Sequence, residues 1–303
     1  MPIHSHGETE AEGQVRDGLR LAVELSVVIL ALEAVGAYFS HSLALTVDAV
    51  HNLPDILAFA LSWSAIRASA AGASDRFTFG AHRLETFAGL LNAILVLATG
   101  AVFGYEALAY LHLGGSFAGT VDPVWVLAVA LPTLGLRAAN LRFLRRIPGR
   151  VRDLNLRSVV IHLASDLAIT ASLLVAGALL VLRPGLAWVD TSAALVIAAI
   201  LVYESLPLFR EGWDILTERT PQGVSVDRIT ASALAVPGVL GVHDLHVWSV
   251  CSTMVVLTAH VDLREMSLRE SMSVVAQLRE RIAREFGIVH STFEIEGPSA
   301  AAG

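Results

Sequence analysis

The segment LALTVDAVHNLPDILAFALSWSAI, residues 43–66, decides the fold class of this chain. It is predominantly apolar along its whole length, and a helix needs about 20 such residues to cross the hydrocarbon core of a bilayer. The segment therefore predicts a transmembrane helix. It is unusual in carrying three ionisable side chains, those of Asp48, His51 and Asp55.

Five further apolar segments are long enough to cross a bilayer, and the composition agrees with them. Hydrophobic residues make up 54% of the chain and charged residues 16%, whereas a soluble domain carries roughly 25% charged residues. The net charge of −7 argues against a nucleic-acid partner. The sequence predicts a membrane α-helical protein, a bundle of six transmembrane helices near residues 17–38, 43–66, 84–111, 124–144, 155–181 and 187–209.

From residue 210 onward charges recur every few residues and no segment is long enough to span a membrane. The pattern predicts a small cytosolic α/β domain in the order helix, strand, strand, helix, strand (αββαβ), near residues 224–234, 243–250, 254–262, 268–286 and 290–296. We therefore expect a short polar N-terminal tail at residues 1–15, a transmembrane domain at 16–209 and a cytosolic domain at 210–303.

The placement of arginine predicts the orientation. Cytoplasmic loops carry an excess of basic residues, and here arginine is concentrated at the N-terminus, between the second and third segments, and between the fourth and fifth. Both termini are thus expected in the cytoplasm. The N-terminus has no feature of a cleavable signal peptide, so we expect a multi-pass protein of the plasma or inner membrane.

Two of the predicted helices carry a histidine and an aspartate four residues apart: His51 and Asp55 in VDAVHNLPD, and His162 and Asp166 in IHLASD. At this spacing both side chains share one helix face. An ionisable group near the bilayer centre costs about 2.5–3.5 kcal/mol, so such residues are rarely accidental. Two imidazoles and two carboxylates suit tetrahedral Zn²⁺, and the two carboxylates neutralise its charge.

These pairs have two other interpretations. A single polar residue in a membrane helix often only bonds a neighbouring helix, but the same pair on two helices favours a metal site. A hydrolytic zinc site needs an open coordination position and a general base, as in HExxH. That motif does not occur, and four protein ligands would close the site, so we do not expect an enzyme.

Three further residues within the predicted helices have open roles. Asp48 lies about one turn before His51 and is a candidate for a carboxylate behind the metal ligands or a proton relay, with plain helix bonding as the alternative. Pro54 removes a backbone hydrogen bond and is expected to kink the second helix. Arg137, within the fourth predicted helix, either extends towards the cytosol or pairs with an acidic residue.

Together these motifs resemble the cation diffusion facilitators, a family of zinc exporters. The resemblance covers nearly the whole chain. It includes LEAVGAYFSHSLALTVDAVHNLPD, FTFGAHRLETFAGLLNA, the His162 and Asp166 pair, and PGVLGVHDLHVW in the tail.

The resemblance implies a homodimer that assembles through a metallochaperone-like C-terminal domain. It also implies that the transport site is His51, Asp55, His162 and Asp166, and that a histidine at the position of His51 accompanies a preference for zinc over cadmium. A regulatory zinc site in the cytosolic domain would use His243 and His260, with further ligands near Glu294 and Glu296. A plain dimerisation module is the alternative.

The expected function is export of Zn²⁺ from the cytosol by proton antiport, with zinc as the transported substrate and a candidate regulatory ligand. Zinc requires neutral imidazole and ionised carboxylate, so protons compete with the metal at such a site. Alternating access would then exchange one for the other. The alternatives are an exporter of Co²⁺, Fe²⁺, Ni²⁺ or Mn²⁺ and a membrane zinc sensor that transports nothing.

Overall fold

The structure is a computed structural model that describes residues 6–70, 75, 77–80, 82–112, 120–145, 154–186, 188–252 and 254–297. Within helices, the side chains of residues 6–22, 55, 58–70, 85, 144–145 and 154–161 fall outside this description. The elements are α1 (His6–Ser40), α2 (Leu43–Ala70), α3 (His82–His112), α4 (Pro123–Arg145), α5 (Leu154–Leu182), α6 (Trp188–Leu216), α7 (Val226–Leu234), β1 (Val239–Cys251), β2 (Met254–Leu263), α8 (Leu268–Phe286) and β3 (His290–Glu296).

The predicted fold class is confirmed: long helices come first and a small α/β domain follows them. Judged on their described residues, five helices are long and apolar enough to cross a membrane, over Val23–Ser40, His82–His112, Pro123–Phe143, His162–Leu182 and Trp188–Leu216. The remaining long helix is α2, with 28 residues. It is helical on both sides of Pro54.

The helices extend beyond the predicted membrane segments. The polar N-terminal tail predicted at residues 1–15 is helical from His6, because its Glu- and Ala-containing sequence favours helix. At the other end, α6 continues to Leu216, past the boundary predicted at residue 209. A 28-residue helix such as α2 is about 42 Å long and exceeds a hydrocarbon core of about 30 Å.

The described residues fall into two compact units. The first comprises those of Met1–Leu61 and Leu91–Pro207, and the second those of Ser62–Leu90 and Leu208–Gly303. The second unit therefore includes parts of α2 and α3 that the sequence assigned to the transmembrane domain.

In the first unit, five of the helices share one apolar core. Leu43 and Val47 of α2, Val129 of α4, Ile169 of α5 and Ile197 of α6 are all buried in it, together with Val96 and Ala107 of α3. Burial on this scale holds the ligand-bearing helices α2 and α5 against the same neighbours.

The N-terminus of α2 is fixed by a carboxylate from another helix. Asp190 of α6 accepts hydrogen bonds from the Ser42 hydroxyl at 2.5 Å and from the Leu43 backbone N–H at 2.7 Å. These bonds satisfy donors that a helix start leaves without intrahelical partners, and a negative charge there is favoured by the helix dipole. Asp190 thereby sets the position of the helix that carries His51.

In the second unit, a three-stranded sheet in the order β1-β2-β3 forms one layer. β1 pairs with β2 antiparallel and β3 pairs with β2 in parallel. Helices α7 and α8 cover one face through Ile229, Leu278 and Ile282, which pack in two clusters with residues such as Leu257, Ala259 and Val261 of β2. The opposite face carries a group of polar side chains that includes His243, His260 and Glu296.

A bulge in β1 determines which residues share this face. His243 and His246 are three apart, so a regular strand would point them to opposite sides. However, His243 pairs with His260 and His246 with Thr258, so the register shifts between them. Asp244, inside the shift, has a left-handed φ of 47°, which aspartate tolerates better than most residues. The extra residue brings His243 and His246 to the same face.

Candidate metal centre

The first candidate site lies between α2 and α5 within the first unit. One ligand atom from each of His51, His162 and Asp166 lies within 4.8 Å of the others. His51 Nε2 is 3.7 Å from Asp166 Oδ1, and His162 Nε2 is 3.9 Å from Asp166 Oδ2. The two imidazole rings meet edge to face with centroids 5.9 Å apart. Asp166 is thus the carboxylate that faces both histidines.

Burial differs between these three side chains. His51 and Asp166 are buried, with 2% and 9% of their side chains exposed, whereas 31% of the His162 side chain is exposed. The i, i+4 spacing on α5 places His162 and Asp166 on one face, as the sequence predicted. The side chain of Asp55, the fourth predicted ligand, lies outside the described residues, although its backbone continues α2.

The separations are near those that zinc requires. Tetrahedral Zn²⁺ with ligands at 2.0–2.1 Å separates its ligand atoms by about 3.3 Å. The two imidazole–carboxylate distances of 3.7 and 3.9 Å exceed this value only by an amount that side-chain rotation supplies. Nitrogen and oxygen donors of this kind suit zinc and other divalent first-row metals.

Directly beside the site, Arg137 of α4 is buried and paired with acidic side chains. Its Nη2 lies 3.1 Å from both Glu33 Oε1 of α1 and Asp48 Oδ1 of α2, and 3.2 Å from Asn52 Oδ1. Of the two roles the sequence left open, the structure has Arg137 in ion pairs. Burial of all three charged side chains makes this pairing necessary, because an unpaired buried charge is strongly destabilising.

The other half of the guanidinium contacts α5. Arg137 Nη1 donates to the Asp166 carbonyl oxygen at 2.8 Å and to the Thr170 hydroxyl at 2.6 Å. The Asn52 amide in turn donates to Glu33 and to the Asp48 carbonyl. One hydrogen-bond network thus links six residues, with Asp166 taking part through its backbone: Glu33, Asp48, Asn52, Arg137, Asp166 and Thr170.

From the sequence, Asp48 was a candidate for a carboxylate behind the ligands, and neither Glu33 nor Asn52 was assigned to the site. The charge of Glu33 within an apolar segment was the available signal, since a buried carboxylate needs a partner. Which helix supplied that partner depended on the packing of α1 against α4, which local sequence does not encode.

The second candidate site lies on the open face of the sheet. His243 of β1, His260 of β2 and Glu296 of β3 each offer a ligand atom, and these atoms lie within 4.8 Å of one another. Glu296 contacts both histidines. Its Oε1 is 2.7 Å from His260 Nδ1, within hydrogen-bond distance, and its Oε2 is 3.4 Å from His243 Nε2. Glu294 lies 3.6 Å from His260 Nε2. The four residues that the resemblance implied are therefore neighbours.

Two carboxylates at this cluster were missed from the sequence. Asp262 lies 3.7 Å from His243 Nε2, and Asp244 lies 3.5 Å from His260 Nε2. Asp262 was detectable, because it follows His260 by two residues and so shares its face. Asp244 was not, since it reaches this face only through the bulge.

Carboxylates also set the proton affinity of His260. The hydrogen bond that Glu296 accepts from His260, with Glu294 and Asp244 nearby, raises the pKa of His260 above its usual value. A raised pKa favours the protonated ring. Protons therefore compete with a metal at His260 at higher pH than at an ordinary histidine.

Comparison with known proteins places the chain in a family. The family described as Cation efflux transmembrane domain matches residues 19–217, and that described as Cation efflux protein, cytoplasmic domain matches residues 221–297.

Three relatives align with nearly all of the chain. The metal cation efflux system protein CzcD of Cupriavidus metallidurans is 31% identical over 97% of this chain and 89% of its own length. A cadmium, cobalt and zinc/H(+)-K(+) antiporter of Bacillus velezensis is 24% identical over 96% and 91%. The probable proton-coupled zinc antiporter SLC30A3 of Bos taurus is 28% identical over 97% and 80%. The chain belongs to the cation efflux family of membrane transporters, which confirms its predicted resemblance to the cation diffusion facilitators and the expectation that it is not an enzyme.

Proposed function

We propose that this chain exports Zn²⁺ from the cytosol in exchange for protons, with His51, Asp55, His162 and Asp166 as the transport site. The observation that carries the proposal is the convergence of His51, His162 and Asp166 from two helices in a largely buried position. Asp55 is assigned as the fourth ligand from its spacing to His51. With two carboxylates the filled site is neutral, and a neutral site costs far less in a membrane than an isolated charge.

Several features support zinc over other divalent metals. Two imidazoles argue against Mn²⁺, which prefers oxygen ligands. The relatives include proteins named for cadmium, cobalt and zinc and for zinc alone, so Co²⁺ and Cd²⁺ are the competitors to test. His51, where the family resemblance associates histidine with zinc rather than cadmium, favours zinc.

The proposed mechanism follows from ligand chemistry. Zinc binds the imidazoles only in their deprotonated form, so protons displace it when the site faces the more acidic side. We propose a plasma-membrane location with both termini cytoplasmic, and domains at residues 16–209 and 210–303. We further propose a homodimer formed through the C-terminal domain, in line with the match to the family's cytoplasmic domain.

The test is metal flux in proteoliposomes that contain the purified full-length protein. An acidic interior should drive zinc uptake, with slower uptake of Co²⁺ and Cd²⁺ and little of Mn²⁺. Zinc binding without flux would instead identify a membrane zinc sensor. Faster flux of another metal would reassign the substrate and leave the transport function intact.

A second candidate function is regulatory zinc binding by the cytosolic domain. It is supported by the cluster of His243, His260 and Glu296 on the open face of the sheet. Zinc there would link all three strands and neutralise some of the carboxylates. The transport site and this cluster would respond to the same cytosolic ion.

Replacing His260 with alanine is expected to lower the bound zinc by one ion per chain. It removes the imidazole that contacts Glu296 and Glu294. Equilibrium dialysis of the full-length protein with metal analysis would measure the loss, and His290→Ala, on the same domain but outside the cluster, is the control. An unchanged zinc content would leave the domain as a dimerisation module.

A further inference from the structure

We propose that Arg137 is a positioning residue for the transport site, holding the ligand-bearing turns of α2 and α5 in register. This inference rests on the proposed function. It starts from an asymmetry in the guanidinium: one nitrogen, Nη2, serves α1 and α2, and the other, Nη1, serves α5. Arg137 touches neither imidazole of the site nor the Asp166 carboxylate through any of these hydrogen bonds.

On α2 the contacts bracket a metal ligand. Asp48 lies three residues before His51, and Asn52 immediately follows it. Arg137 bonds the side chains of both, at 3.1 and 3.2 Å. The Asn52 amide also donates to the Asp48 carbonyl at 3.0 Å. The same guanidinium therefore holds the helical turn that carries His51 on both sides of this residue, through Asp48 and Asn52.

On α5 the contact is with a metal ligand's own backbone. The Asp166 carbonyl accepts from Arg137 Nη1 at 2.8 Å and from the Thr170 hydroxyl at 3.0 Å, and Thr170 also accepts from Nη1. Rotation of α5 about its axis, or sliding along α2, would break these bonds. Asp166 consequently stays at the height where its carboxylate faces His51.

Neutralising charge does not by itself explain this arrangement. Ion pairs with Glu33 and Asp48 alone would neutralise the charge of Arg137. Its Nη1 nevertheless donates hydrogen bonds to two neutral acceptors on α5. A planar guanidinium with donors in a fixed fork can link two helices in a way that a single ammonium cannot. Groups that orient metal ligands commonly change metal affinity by about 10- to 100-fold when they are removed.

The test separates positioning from charge neutralisation. Arg137→Met leaves the carboxylates of Glu33 and Asp48 without a cationic partner and endangers folding, so it is studied beside the uncharged triple variant Glu33→Gln/Asp48→Asn/Arg137→Met. Zinc KM and maximal flux are measured in proteoliposomes, zinc affinity by competition titration in detergent, and folding by gel filtration and thermal unfolding. Arg142→Met, an exposed position on the same helix, is the control.

The triple variant should fold, and its zinc KM and dissociation constant should rise by about 10- to 100-fold. Arg137→Lys, which keeps the charge but not the fork, should lie between it and the wild type. Wild-type zinc affinity in a folded triple variant would overturn the inference. If the triple variant does not fold, unchanged affinity in Arg137→Lys overturns it instead. A wild-type protein that binds zinc without flux refutes the proposed transport, and the affinities still decide the role of Arg137.

Discussion

Replacing Asp166 with alanine is expected to abolish zinc transport. Asp166 faces both His51 and His162, at 3.7 and 3.9 Å. Its loss removes a ligand and leaves the filled site with an uncompensated positive charge. In a membrane such a charge costs about 2.5–3.5 kcal/mol, which corresponds to about a 100-fold loss of binding or more.

The measurement is zinc uptake into proteoliposomes with an acidic interior, with folding checked by gel filtration. Ser172→Ala is a matched control on the same helix, because the Ser172 hydroxyl donates to the Ile169 carbonyl of its own helix. We expect Asp55→Ala to behave like Asp166→Ala. Uptake at the wild-type rate in a folded Asp166 variant would remove this residue from the transport site.

Zinc binding at the transport site is expected to weaken steeply as the pH falls. Both imidazoles must be deprotonated to bind the metal, so each protonation opposes it. In the acid limit two competing protons weaken binding up to about 100-fold for each pH unit, against about tenfold for one. Transport driven by a pH gradient depends on this difference.

Competition titrations across the acid range would measure the slope of the logarithm of zinc affinity against pH. They would use a His243→Ala/His260→Ala background, which removes the second candidate site. The matched comparison is His51→Asn, which keeps a polar side chain but takes away one competing proton. The slope for His51→Asn should approach half of the slope for the His243→Ala/His260→Ala parent. Equal slopes in the two proteins would mean that His51 does not exchange a proton for zinc.

Much of the architecture could be predicted because it follows from local chemistry. Apolar length alone identified the membrane helices, and i, i+4 spacing put His162 and Asp166 on one face. The order of helices and strands in the C-terminal domain followed from turn residues and from the alternation of polar and apolar residues. These features depend on neighbours within one element.

What could not be predicted depends on contacts between elements. The pairing of Arg137 with Glu33 and Asp48 requires three helices to pack at one height. Likewise, a one-residue bulge at Asp244 moved His246 to the same face as His243. A regular strand puts residues three apart on opposite faces, and the alternation of polar and apolar residues does not reveal where an extra residue is inserted.

The most direct test of the central claim is to locate zinc by anomalous X-ray scattering at the zinc edge in crystals of the full-length protein. We predict a peak between α2 and α5, bound by His51, Asp55, His162 and Asp166 at about 2.0–2.2 Å. The peak should vanish in crystals of Asp166→Ala. The account would be contradicted by zinc bound elsewhere in the first unit, for example at Glu33 and Asp48, with no anomalous peak at these four residues.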